Sequence, residues 1–169
     1  MISGIKELEA ELDKMAKVNL RKGIESGIAL VQEAAKSNCG GFGQPTGELR
    51  ESIYTDVEEN GDTVTGTCFT NKEYAPYVEF GTGPAGQEKH NGISPEVPVT
   101  YSQEGWMMPG TAMPPEKAAA YGLGIAKSGD NIIGYYTNGQ PAKPFMYPAL
   151  KDHEKDVVEI IAENIKEQL

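Results

Sequence analysis

Apolar residues recur every three or four positions near the start of the chain, in two runs that do not share a phase. Ile5, Leu8, Leu12 and Met15 form the first run; Leu20, Ile24, Ile28, Val31 and Ala35 form the second. That spacing predicts a helix over residues 3–36. Ser3 suits its N-cap, and Glu7 and Glu9 sit near the positive end of the dipole. Gly23 and Gly27 each weaken a helix interior by up to about 1 kcal/mol relative to Ala, so they mark a bend or a close helix contact. Asn38, Gly40 and Gly41 end the helix, and residues 38–47 read as a glycine-rich loop.

The period then changes to two. Ile53, Thr55 and Val57 alternate with Tyr54, Asp56 and Glu58, and Thr63 to Phe69 alternates again. Asn60-Gly61 between them predicts a hairpin turn, because both residues tolerate positive φ. Ala75 to Phe80 predicts one helical turn, with Pro76 in its first positions and Gly81 at its exit. Residues 84–131 read as a long loop-rich insertion. Within it Val97, Val99 and Tyr101 alternate briefly, and Glu116 to Ala126 suggests a short helix interrupted by Gly122 and Gly124. Asn131 to Tyr136 reads as a strand with a turn at Asn138-Gly139, and Pro144 opens a final helix running to the end. Leu150, Val157, Ile161, Ile165 and Leu169 form its apolar stripe. These elements add up to an α+β fold: a long N-terminal helix, a small antiparallel sheet built on a β-hairpin, a long loop insertion and a C-terminal helix. One domain over residues 1–169 is expected.

Charge narrows the function. The net charge is −10, which argues against gripping duplex DNA, since phosphate affinity comes from Lys and Arg. An acidic wall still suits a channel through which DNA passes unheld. Lys14, Lys17, Arg21 and Lys22 are interleaved with Glu11, Asp13 and Glu25, which reads as a mixed, solvated helix face. Glycine (20 residues) and proline (11) favour long loops or exposed arms. Two cysteines, Cys39 and Cys68, make no disulfide framework; reduced thiols in a cytosolic setting are expected. The charged N-terminus does not read as a signal peptide, and no apolar run is long enough to span a bilayer.

Candidate chemistry is sparse. Gly81-x-Gly83-x-x-Gly86 has the dinucleotide spacing, but Asn91, Gly92, Pro95 and Pro98 leave no room for the long helix that the mechanism needs. Gly40 to Gly47 lacks the Lys-Ser/Thr pair of a phosphate loop. His90 and His153 have no metal-ligand partner at useful spacing, so neither metal nor cofactor is expected. Glu79, between Val78 and Phe80, is a carboxylate in apolar company, and Arg50 is its expected partner. That pair reads as structural or intersubunit; a small hydrolase using Glu79 with Arg50 is the alternative. Trp106, Met107, Met108 and Met113 form either a satellite core beneath the long loop or a docking surface.

Three blocks occur in order: Thr46-Gly-Glu-Leu-Arg-Glu-Ser-Ile53, Tyr74-Ala-Pro-Tyr-Val-Glu-Phe-Gly-Thr-Gly83, and Pro141-Ala-Lys-Pro-Phe-Met-Tyr-Pro-Ala-Leu150. Together, with a long helix before and a helix after, they resemble the neck or tail-completion proteins of long-tailed bacteriophages, the gene-ten-like group. The matching positions include Thr46, Gly47, Leu49, Arg50, Tyr74, Tyr77, Glu79, Phe80, Gly81, Thr82, Pro144, Phe145 and Pro148. The resemblance implies an α+β assembly protein without a catalytic site, located in the virion neck or tail and assembled in the bacterial host cytoplasm. It implies a ring homo-oligomer, with a hexamer expected, that meets tail-tube or tail-terminator and head-connector proteins. Duplex DNA would cross its channel without specific binding, and no membrane is involved. Contractile tails, non-contractile tails and bacteriocin-like particles all fit.

Overall fold

The computed structural model describes residues 18–39 and 47–169. The first apolar run, Ile5 to Met15, and Thr46 lie outside the described residues. The fold is α+β. The chain divides into two compact units, residues 1–72 with 145–169, and residues 73–144.

In the first unit α1 spans Leu20–Asn38. Its N-cap is Asn19, whose side-chain Oδ1 accepts the Arg21 N–H at 2.8 Å. Within the described residues the helix therefore begins at Leu20, just after the phase break in the sequence. A single turn, α2 (Glu48–Glu51), leads into β1 (Ile53–Asn60) and β2 (Thr63–Thr70). These two strands pair antiparallel, with Ile53 opposite Thr70 and Asn60 opposite Thr63. The loop is therefore Gly61-Asp62, one residue later than Asn60-Gly61 suggests. Gly61 takes the positive φ (60°) that a two-residue turn needs at its first position, so Asn60 stays in the ladder.

One hairpin face lies against α1. A Cβ placed on Gly66 would stand 2.8 Å from the Ile24 methyl Cγ2, and the Gln32 amide donates to the Ile53 carbonyl at 2.7 Å. Cys68 shares that inward side; burial pushes its thiol up, against a smaller opposing pull from Lys36. Both cysteines are free thiols.

A neighbouring face of α1, about 100° round from Ile24 and Ile28, receives the C-terminal helices. The expected continuous helix from Pro144 is two pieces, α6 (Tyr147–Lys151) and α7 (Glu154–Lys166). Pro148 occupies the first turn of α6, where its missing N–H costs nothing. His153 (φ −110°, ψ 10°) leaves helical geometry, and its Nδ1 meets Asp156 Oδ2 at 2.8 Å to start α7. The paired glycines of α1 mark the close contact. A Cβ on Gly23 would lie 3.3 Å from Ile161 Cα, and one on Gly27 would lie 3.0 Å from Val157 Cγ1. Gly23→Leu is therefore expected to destabilise by about 1–3 kcal/mol through overpacking, although helix propensity alone favours it by about 0.8–1 kcal/mol. A thermal melt gives the sign directly, and a rise in Tm would mean that the helices are not this close.

In the second unit α3 (Ala75–Phe80) and α4 (Gly83–Glu88) precede a three-stranded antiparallel sheet in the order β3-β5-β4. Its strands are β3 (Trp106–Pro109), β4 (Gly124–Ser128) and β5 (Asn131–Thr137). Helix α5 (Pro115–Ala120) is shorter than Glu116 to Ala126 suggests. Gly122 adopts φ 66°, the Leu123 N–H returns to the Ala118 carbonyl, and Gly124 begins a strand. The insertion that reads as loop thus supplies two of the three strands. Tyr135, at the centre of β5, is fully buried, and its hydroxyl donates to the Met113 carbonyl at 3.0 Å.

Candidate functional site

Two of the three sequence blocks meet in the second unit. Helix α3 buries Ala75, Val78 and Glu79 and leaves Tyr74 and Tyr77 outward. Gly81 (φ 74°, ψ 179°) ends the helix in a conformation open only to glycine, and Thr82 (φ −145°, ψ 151°) runs extended. Thr82 pairs antiparallel with Gln140. The Thr82 N–H donates to the Gln140 carbonyl at 2.9 Å, and the Gln140 N–H returns to the Thr82 carbonyl at 3.2 Å. The Gln140 side-chain amide donates to the Tyr77 carbonyl at 2.8 Å, and the Lys143 N–H to the Val78 carbonyl at 2.8 Å. The two backbones are so close that a Cβ on Gly81 would lie 2.6 Å from Ala142 N. A Cβ on Gly139 would overlap the Thr82 carbonyl. Glycine is needed at both positions because two peptide chains touch there.

Beside this junction lies an open groove of about 390 Å³, lined by Pro76, Tyr77, Phe80, Val99, Tyr101 and Trp106 among others. The Tyr101 hydroxyl donates to the Phe80 carbonyl at 2.7 Å, and its ring stacks on His90. Burial pushes that phenol up, so it stays a neutral donor. Trp106 is packed tightly enough that a Cβ on Gly83 would lie 2.8 Å from its ring. Yet 39% of Trp106 and 59% of Tyr77 remain exposed.

Of the four candidate contact residues, Trp106 lines this groove and Met107 is exposed opposite Tyr136. Met108 and Met113 are half-buried; Met108 sits opposite Tyr135 in the ladder, and Met113 accepts the Tyr135 hydroxyl.

The first block builds the hairpin base of the first unit. Gly47 (φ 63°) precedes α2, Leu49 and Ile53 are buried, and Arg50 is exposed. The buried Ser52 hydroxyl lies 2.8 Å from the Leu49 carbonyl and 2.7 Å from Thr70 Oγ1. The end of the third block joins this unit: Phe145 and Ala149 are buried at 1% exposure, and the Asn38 amide donates to the Phe145 carbonyl. Arg50 thus belongs to the first unit and the buried Glu79 to the second. Sequence reading placed Tyr101 only in a brief alternation with Val97 and Val99, and gave no role to Tyr101, Gln140 or Tyr135. The period-two run through Asn131 to Tyr136 was the signal for Tyr135, and nothing in the sequence marked Gln140.

The Gly81-x-Gly83-x-x-Gly86 run does not have the form of a nucleotide site. Helix α4, which begins within the Gly81-x-Gly83-x-x-Gly86 run, has six residues, and a Cβ on Gly86 would lie 2.9 Å from the Tyr101 ring. Among the described residues no three His, Cys, Asp or Glu side chains are placed to share a metal ion. Among them, too, no helix is long and apolar enough to cross a membrane.

No curated protein and no solved structure shows significant similarity to the chain. A family match does exist, and it takes in the first block and the second as far as Gly81. Residues 1–81 match the HK97-gp10-like family model, described as "Bacteriophage HK97-gp10, putative tail-component", and the resemblance to gene-ten-like phage tail proteins holds over that stretch.

Proposed function

We propose that this chain is a structural subunit of a phage tail, or of a tail-like particle, that acts at the head–tail junction or tail end as a closed ring. The family match over residues 1–81 carries the reading, since it is to a tail component. The surface supports it. Tyr77, Trp106, Met107, Ile133 and Tyr136 of the second unit, and Leu150 and Val158 of the first, are large apolar side chains left more than a third exposed. Exposed apolar area of this kind is what contact with other polypeptides covers. A ring needs a heterologous contact that closes on itself, with six copies expected. The net charge of −10 fits a conduit that duplex DNA traverses unheld. Tail-tube or terminator and head-connector proteins are the expected neighbours. The buried Glu79 serves the fold in this reading and performs no turnover.

The test pairs light-scattering mass of the purified protein with negative-stain images of particles made without it. Headless tails or unjoined capsids, restored on adding the protein, are expected. Normal infectious particles would overturn the proposal.

A further inference from the structure

The chain has three Asn-Gly pairs: Asn60-Gly61, Asn91-Gly92 and Asn138-Gly139. Such a pair carries its own chemistry. The glycine amide nitrogen attacks Cγ of the asparagine side chain, with no Cβ on the glycine to crowd the approach. A C–N bond forms and closes a five-membered succinimide, the Cγ–Nδ2 bond breaks, and ammonia leaves with the proton given up by the glycine N–H. Water then opens the ring at either carbonyl, giving aspartate or isoaspartate. The peptide joining the two residues must rotate for the attack, so hydrogen bonds made by that peptide resist it.

Two of the pairs are held. In the second unit the Asn138 carbonyl accepts the Ala85 N–H at 3.0 Å, and the Gly139 N–H donates to Thr137 Oγ1 at 3.0 Å. Both polar groups of that peptide are therefore engaged. In the first unit Asn60 stands opposite Thr63. The pair that closes a two-residue turn exchanges backbone bonds, so rotation would pull Asn60 out of the ladder.

Asn91-Gly92 has no such restraint. Both residues are exposed in the turn that follows α4. Gly92 takes φ 81°, as the second central residue of a type II turn does. Neither residue makes a hydrogen bond to another described residue. We infer that the fold selects Asn91, out of the three, as a site of spontaneous conversion to isoaspartate and aspartate. The surroundings give that conversion a consequence. The Lys89 carbonyl accepts the Ala142 N–H at 2.8 Å, His90 stacks on Tyr101, and a Cβ on Gly92 would lie 3.3 Å from Pro144 Cγ. Isoaspartate adds a backbone atom and a negative charge to the short link between these contacts. The inference does not rest on the tail-component reading.

The test incubates the folded full chain at mildly alkaline pH and follows each Asn-Gly pair by peptide mapping. Electron-transfer fragmentation separates aspartate from isoaspartate. Position 91 should convert first, about tenfold or more faster than position 138, where two hydrogen bonds must open beforehand. In urea the three rates should converge. Conversion led by position 60 or 138, or none at 91 in folded protein, overturns the inference. An unchanged ranking in urea overturns it too, since sequence and not fold would then make the choice.

Discussion

Tyr135→Ala is expected to be the most damaging single change in the second unit, lowering its stability by about 3–5 kcal/mol, as for other large aromatics cut to Ala in a core. Tyr135 is fully buried on the central strand, with β3 on one side and β4 on the other. Its ring is wholly shielded from solvent, and its hydroxyl satisfies the Met113 carbonyl. Tyr135→Phe keeps the ring and removes only that bond, so a loss of about 0.5–1.5 kcal/mol is expected. Trp106 is the chain's only tryptophan and lies on β3, so its fluorescence during urea unfolding reports on this unit. A shift under about 1 kcal/mol for the alanine variant, well below the usual range, would mean that the sheet does not centre on β5.

The second large effect is expected at Gly139. Gly139→Ala combines a positive φ of 86° with a Cβ that overlaps the Thr82 carbonyl. Holding alanine there costs about 1–3 kcal/mol. Relieving the overlap separates Thr82 from Gln140 and forfeits two backbone bonds worth about 0.5–1.5 kcal/mol each. A total near 3 kcal/mol or more follows, read by the same fluorescence titration. Gly122→Ala is the comparison: its φ is 66°, but nothing lies within 4 Å of the added carbon. It should lose only the backbone strain of about 1–2 kcal/mol. Equal losses at the two positions would show that the close approach at Thr82 carries no weight.

The hairpin, the α3 turn and the β5 strand were legible because each is specified by neighbours in sequence. Period-two alternation needs only one buried face, and Pro76 with Gly81 brackets a turn without help from elsewhere. Strands β3 and β4 were not legible. Trp106 to Pro109 and Gly124 to Ser128 are short, contain glycine or proline, and acquire strand geometry only by pairing with β5. The candidate site divides similarly. The glycines and aromatics of the second block were conspicuous, but what they are for depends on Gln140, 58 residues beyond Thr82. Gly23 and Gly27 fell between: in sequence they mark a bend or a close helix contact, and only the fold shows the contact, with α7.

The first unit is built from two stretches that flank the second, whereas residues 73–144 are contiguous. During synthesis the middle of the polypeptide can complete its own contacts while the ribosome is still working. Helix α1 emerges early and must wait for α7, which follows the whole of the second unit in sequence. Until α7 is made the glycine face of α1 stays bare, so a nascent chain stalled before Val157 should be the form that chaperones hold longest.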